Sequence, residues 1–279
     1  MLISLHRLLK HPYILMDLLN VSINAALEAG RQILEVYSRD FAIETKNDNS
    51  PLTEADKVSH TVIKQALAQT NIRLLSEEGK QIDFADRKSW DIFWLIDPID
   101  GTKEFIKKTG EFTVNIALIK NGSPVMGVVY APVTGALYFG AEDKGSFYYK
   151  VNLQQLAPVA EIIKNAKKLP LQSTVEVYTV VASKSHNTPE TDVFIEGRRK
   201  AHGEITIVNA GSSIKLCLVA EGAAQVYPRL APTMEWDTAA GHAVARFAGC
   251  NVYDYATKAE LVYNKENLLN PWFVVEKLS

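Results

Sequence analysis

The sequence predicts an α+β protein with two unlike halves, and three observations carry that prediction. Apolar residues recur first at helical spacing, next in short runs separated by tight-turn dipeptides, and finally in strand-like runs that alternate with helical ones. The 279 residues, 47% hydrophobic and 22% charged, suffice for one large globular domain or two modest ones.

From Asp17 onward, Ile23, Leu27, Leu34 and Tyr37 keep helical spacing while Glu28, Arg31, Gln32 and Glu35 fall on other faces, so a packing helix is expected. Residues 41–45 read as a short strand and 46–51 as a polar loop. Thr53 precedes Asp56 by the three residues of a capping box. It opens a second helix through Val58, Val62, Ile63, Ala66 and Leu67. Residues 72–75 predict a strand ending at Glu77, and 83–91 a polar connection to the apolar run 93–96. Strand-like runs at 113–119, 124–130, 136–139 and 147–150 are separated by Asn121-Gly122, Thr134-Gly135 and Asp143-Lys144-Gly145, which predicts an antiparallel meander. The second half alternates strands (177–182, 205–209, 225–228, 251–255, 272–275) with helices (188–200, 213–220, 238–247), as a βαβ layer does. Residues 151–175 are expected to link the halves. The expected division is an N-terminal α+β half over 16–150 and a C-terminal α/β half over 151–279, after an extension over 1–15.

That extension is apolar and basic, but it contains Pro12, lacks the small-residue cleavage site of a signal peptide and is too short to span a bilayer. It is read as a misassigned start in preference to a short surface-lying anchor. A net charge of −2 argues against a general nucleic-acid binder, which needs a basic footprint. Cys217 and Cys250 stand in apolar helical patterns rather than at metal-ligand spacing, and are expected to be reduced core thiols of a cytoplasmic protein.

The chemistry concentrates where the central strand ends, in Asp97-Pro98-Ile99-Asp100-Gly101-Thr102. Pro98 cannot donate to a ladder, so the strand breaks there and both aspartates can face one metal pocket. Gly101 permits close backbone approach to a ligand and Thr102 adds a hydroxyl. Asp, Pro and Gly are also ordinary turn residues, and an isolated motif would favour a turn. Two further acidic stretches read as strand ends, Glu77-Glu78-Gly79 and Glu235-Trp236-Asp237, make that reading harder to sustain. Gathering Glu77, Asp97, Asp100 and Asp237 in one cleft costs several kcal/mol of repulsion unless cations neutralise them. All-oxygen donors without a His-Cys cluster point to magnesium. Two ions about 3.5 to 4 Å apart would suit an in-line displacement.

In order and spacing, the Glu-Glu pair, the D-P-I-D-G-T run and the late W-D resemble the lithium-sensitive, magnesium-dependent phosphomonoesterases. These include inositol monophosphatase, fructose-1,6-bisphosphatase and the 3'(2'),5'-bisphosphate nucleotidases. The resemblance runs from about Met16 to the C-terminus. Lys103-Glu104, the run from Gly211 to Gly222 and Tyr227-Pro228-Arg229 resemble the bacterial nucleotidases in particular. It implies a layered αβαβα sandwich and two or three magnesium ions. Glu77, Asp97, the Ile99 carbonyl, Asp100 and Asp237 are the implied ligands, and Thr102 with Asp56 the implied water-positioning pair. The amides of Gly101 and Thr102 would meet the phosphate, with Glu78 as a group behind the ligands.

Ser212, Lys215 and Arg229 are candidates for a second phosphate, although residues of this kind more often mark a capped, solvated helix end. Ser183-Lys184-Ser185-His186 resembles the segment that approaches the nucleoside. His6, His11, His60, His202 and His242 are given no role. The expected activity is hydrolysis of the 3'-phosphate of 3'-phosphoadenosine 5'-phosphate by metal-activated water, in sulfur metabolism. The alternatives are an inositol monophosphatase and a non-catalytic nucleotide-binding regulator. A cytoplasmic monomer or homodimer is expected, without a transmembrane span; peripheral attachment to the inner membrane is the alternative location.

Overall fold

The computed structural model describes residues 12–46, 51–171, 177–183 and 188–277, with side chains from Leu15 onward. Helix α1 (Pro12–Tyr37) begins five residues earlier than expected, with Pro12 in the first turn, where proline's missing N–H costs nothing. A two-stranded hairpin, β1 (Ile43–Thr45) with β2 (Pro51–Thr53), leads into α2 (Glu54–Ala68). The first large sheet has seven strands in simple sequence order: β3 (Arg73–Ser76), β4 (Ile92–Asp100), β5 (Thr113–Lys120), β6 (Ser123–Ala131), β7 (Ala136–Ala141), β8 (Gly145–Lys150) and β9 (Lys167–Lys168). Strands β3 and β4 are parallel and the rest antiparallel, so the expected meander holds.

Two short helices fall outside the expected elements. One is α3 (Phe84–Arg87), inside the predicted connection; the other is α4 (Thr102–Ile106), directly after the D-G-T run. The predicted linker 151–175 also carries helix α5 (Val159–Asn165) and β9, which pairs with β8.

The second sheet holds β10 (Tyr178–Ser183), β11 (Ile205–Ala210), β12 (Val226–Arg229), β13 (Cys250–Asp254) and β14 (Phe273–Lys277), in the order β11-β10-β12-β14-β13. Helices α6 (Pro189–His202), α7 (Ile214–Ala220) and α8 (Glu235–Phe247) alternate with these strands.

Side-chain alternation along the strands stacks these parts into five layers. In the first sheet, Trp94, Ile96, Ile116, Leu118, Val128 and Phe139 face α1 and α2, while Phe93, Leu95, Ala117, Ile119 and Val129 face α7 and α8. In the second, Val181, Tyr227, Phe273 and Val275 face that same helical layer, and Val180, Val226 and Val274 pack with Ile195 of α6 on the outside. The αβαβα sandwich implied by the resemblance is therefore present.

Its middle layer can be thin because α8 is built from small residues. A Cβ at Gly127 of β6 would stand 2.3 Å from the Ala240 carbonyl oxygen and 2.8 Å from the Ala243 Cβ. Cys217 and Cys250 are free, buried thiols whose pKa values burial pushes upward. No described helix is long and apolar enough to cross a membrane.

Candidate active site

Three elements end at one cleft of about 1140 Å³, and one more, α2, supports it from behind through Thr102. The first is β4, which does not break at Pro98 as expected: it continues to Asp100, and the proline is taken up in a bulge where the pairing with β5 shifts register between Asp97 and Asp100. The bulge is anchored from two sides: Ser59 Oγ donates to the Pro98 carbonyl at 2.8 Å, and the Ile99 N–H donates to Asp97 Oδ1 at 3.0 Å. Gly101 then takes φ +97°, and an added Cβ would meet the Glu111 carbonyl oxygen at 3.1 Å. Position 101 therefore favours glycine by conformation and leaves a Cβ little space.

The second element is α2. Asp56, buried at its N-terminus, accepts from the Thr53 N–H at 2.7 Å and from Thr53 Oγ1 at 2.6 Å through the same oxygen, Oδ2. Its other oxygen, Oδ1, accepts from Thr102 Oγ1 at 3.2 Å. Helix capping and contact with the D-G-T threonine are thus one arrangement. Burial, opposed by the Thr53 donors, keeps the Asp56 pKa above the ordinary carboxylate value.

The third element is the turn after β3, which carries Glu77, and the fourth is the first turn of α8, a helix start rather than a strand end, which carries Asp237. The Met234 N–H donates to Asp237 Oδ2 at 2.9 Å. Ser213, just before α7, ties the last two aspartates together: its Oγ lies 2.8 Å from Asp100 Oδ2 and 2.6 Å from the Asp237 carbonyl oxygen. Asn115 Nδ2 donates to the same hydroxyl at 2.8 Å. One hydroxyl proton cannot serve both acceptors at once, so Ser213 sits on a shared bond.

Burial raises the Asp97 carboxyl well above its ordinary pKa, and Glu77, Asp100 and Asp237 raise it further. Asp237 is likewise raised, by burial and then by Asp100. For Asp100, burial raises the pKa and Lys215 partly opposes it. No three Asp, Glu, His or Cys side chains among the described residues are already closed around one point tightly enough to hold an ion. The fit to a divalent cation therefore rests on donor chemistry and charge. The donors are hard oxygens, and buried carboxylates that obstruct each other's ionisation gain most from a cation between them.

Sequence reasoning missed Lys46. Its Nζ donates to Glu77 Oε1 at 2.8 Å and also bonds Glu78 Oε1. Burial lowers its pKa, but the two carboxylates more than offset this and hold it above the ordinary lysine value. Glu78 is pushed up to about 7 because burial outweighs its share of that ammonium. Ser213, Asn115 and Ser59 were missed as well. The histidines given no role and described here are accounted for structurally. His60 bonds Ser76, His202 stacks on Tyr178, and His242 lies buried between Tyr263 and Glu260.

In the same cleft, close enough to Asp100 to act on its charge, Lys215 and Arg229 are only 6% and 8% exposed. Lys215 Nζ donates to the Ser212 carbonyl oxygen at 2.7 Å and lies 5.7 Å from the centre of the Tyr227 ring. Burial pulls its pKa down to about 8, with Asp100 opposing. Arg229 Nη2 donates to the Pro232 carbonyl oxygen at 2.9 Å, while Arg229 Nε and Ser212 Oγ are buried without a hydrogen-bond partner. Ser212 holds a left-handed φ of 44°, unusual for a residue with a side chain. His186 and the neighbouring residues 184–187 lie outside the described residues.

A five-layer sandwich whose strand and helix ends pool carboxylates beside a D-G-T turn defines the class of the layered phosphomonoesterases. The model of the inositol monophosphatase family matches residues 15–275, and the chain belongs to that family. It is 44% identical to the 3'(2'),5'-bisphosphate nucleotidase CysQ of Shigella flexneri over 254 residues, 90% of this chain and 96% of that protein. The Haemophilus influenzae CysQ is 35% identical over 263 residues, 92% of each chain. The crystal structure of CysQ from Bacteroides thetaiotaomicron superposes with a TM-score of 0.87 at 48% identity, covering 96% of this chain and 99% of that one. An inositol monophosphatase from Anabaena shares the fold at TM-score 0.68 and 23% identity, covering 94% of this chain and 91% of its own.

Proposed function

We propose that the protein is a magnesium-dependent 3'(2'),5'-bisphosphate nucleotidase. It removes the 3'-phosphate of 3'-phosphoadenosine 5'-phosphate, leaving AMP and phosphate, in the cytoplasmic recycling of nucleotides from sulfate activation. The observation that carries this reading over a monophosphatase is the second cationic pocket. Lys215 and Arg229 are buried beside the carboxylate cluster, and Arg229 Nε and Ser212 Oγ have hydrogen-bonding capacity unspent. A buried polar atom without a partner costs free energy, so a ligand oxygen that satisfies it binds with advantage. A nucleotide's second phosphate supplies that oxygen together with the charge complementary to both cations. The names of the relatives point the same way.

Glu77, Asp97, the Ile99 carbonyl, Asp100 and Asp237 are the proposed magnesium ligands; when bound, the metal neutralises the reacting phosphate and makes a water more acidic. Asp56 keeps Thr102 in place. With Oδ2 filled by Thr53, only Oδ1 is left for Thr102 Oγ1. Thr102 Oγ1 also lies 3.3 Å from the Ile99 carbonyl oxygen, so its one proton is shared between the two acceptors; with that carbonyl given to the metal, the hydroxyl would donate to Asp56 and accept from the attacking water, orienting it. The Gly101 and Thr102 amides, in the turn that opens α4, are offered to the phosphate oxygens.

Phosphate release from 3'-phosphoadenosine 5'-phosphate and from inositol 1-phosphate tests the reading. The bisphosphate is expected to show the higher kcat/KM by roughly 30- to 150-fold, the worth of about 2 to 3 kcal/mol of charge-assisted contact. A preference for inositol 1-phosphate would make the protein a monophosphatase. Tight nucleotide binding without phosphate release would make it a binding protein.

A further inference from the structure

Glu77 and Glu78 are consecutive, yet both accept from one ammonium. In a strand, neighbouring side chains point to opposite faces. Here β3 has ended at Ser76, and the chain turns so that the Gly79 N–H reaches back to the Ser76 carbonyl oxygen at 3.1 Å. The turn lets both carboxylates meet Lys46, which arrives from the end of β1. All three side chains are largely withdrawn from water, with exposures of 17% for Lys46, 24% for Glu77 and 10% for Glu78. The lysine charge thus rests on a carboxylate that the proposed function assigns to magnesium, while Glu78 belongs to no proposed ligand set.

We propose that Lys46 is the resident counter-cation of the metal-free cleft, and that Glu78 is the partner that keeps it when magnesium takes Glu77. An ammonium on Oε1 and a divalent ion draw on the negative charge of one carboxylate and repel each other there, so Glu77 cannot serve magnesium fully while Lys46 holds it. Moving Lys46 onto Glu78 alone frees Glu77 without leaving a half-buried ammonium unpaired, which would cost far more than the exchange. Glu78 is therefore a positioning residue that acts on the metal through Lys46. This inference rests on the magnesium-dependent reading given above.

Direct magnesium binding, followed by calorimetry on the full-length protein after chelation and dialysis, tests it without using turnover. Lys46→Met is expected to tighten magnesium binding and Glu78→Gln to weaken it, each by roughly tenfold, the scale of one charge-assisted contact. Long-range electrostatics alone would give both signs, so the double variant decides. In the Lys46→Met background, Glu78→Gln is expected to leave the magnesium Kd within about twofold of that of Lys46→Met alone, because no ammonium remains to be held. An equal weakening by Glu78→Gln in both backgrounds would overturn the inference and make Glu78 a direct contributor to the metal's field. Lys46→Arg keeps the charge and is expected to bind magnesium as the wild type does; tightening by that variant would also overturn the inference. If either neutral variant fails to fold in chelator, Lys46→Gln and Glu78→Ala complete the same cycle with the same expected signs. No magnesium binding by the wild-type protein would instead remove the magnesium reading itself, an outcome distinct from a failed cycle.

Discussion

A buried cation with a depressed pKa is useful only while it is protonated, and this gives Lys215 a readable signature. Burial lowers its pKa to about 8, so above that pH the free enzyme presents a neutral amine to the second phosphate. The ratio of kcat/KM for the bisphosphate to that for a small monophosphate is expected to fall as pH rises through about 8. Lys215→Met should lower that ratio and flatten its pH dependence; an unchanged profile in the variant would remove Lys215 from the second-phosphate pocket. The same lysine acts on stability with the opposite sign. Its folded pKa lies below its unfolded one, so the unfolded chain binds the extra proton and this group's penalty is relieved as pH rises from about 8 toward 10.5. Arg229→Ala gives a complementary prediction. Contacts to the second phosphate are the same in ground and transition states, so the loss should appear mainly in KM for the bisphosphate, by roughly 2 to 3 kcal/mol, with the monophosphate barely affected. Equal losses on both substrates would mean that Arg229 holds the fold, through its bond to the Pro232 carbonyl oxygen.

Helix α8 links the acidic site to the core. Asp237 lies in its first turn, and three residues later Ala240 is pressed against β6 at Gly127. Gly127→Ala therefore has no room and must push α8 away from the sheet. The expected cost is about 1 to 3 kcal/mol of stability from overpacking, together with weaker magnesium binding because Asp237 moves with the helix. Thermal unfolding and calorimetry on this one variant check both; a lost Tm with unchanged metal affinity would show that the helix N-terminus is held independently, by Ser213. Much of this element-level structure was legible in the sequence, because strand and helix periods are local. The apolar run Phe93-Trp94-Leu95-Ile96, as a strand, and the turns at Asn121-Gly122 and Asp143-Lys144-Gly145 hold in the structure. The acidic ends were legible too, since Pro98 and Gly101 announce an irregularity where carboxylates collect. Lys46, Ser213 and Asn115 were not. Their partners lie 31 and 98 residues away, and nothing in a lysine before a polar loop, or an asparagine inside a strand, signals such a meeting. Helix α5 escaped because it is only seven residues long, and strand β9 because its two residues are both lysines.

Across the whole molecule, the central cleft is where burial and carboxylate ionisation oppose each other in the metal-free state. Asp97, Asp100 and Asp237 all have folded-state pKa values above the ordinary carboxylate value, chiefly through burial. The folded protein therefore binds these protons more tightly than the unfolded chain does. Their contribution to stability is fully present below the ordinary carboxylate range and is lost as pH rises through the raised values. Magnesium bound to the same oxygens must displace those protons, so its affinity, and the stability it confers, increase with pH. At a magnesium concentration about 100 times Kd, linkage gives about 2.7 kcal/mol, or roughly 5 to 10 °C in Tm for a chain of this size. Differential scanning fluorimetry in chelator and in excess magnesium, at several pH values, is expected to show a magnesium-dependent gain that shrinks steadily toward acid. Taking the difference at each pH cancels groups that do not face the metal. A gain independent of pH would mean that the cation binds away from these aspartates. Full phosphatase activity in excess chelator would mean that the carboxylates serve the reaction without it.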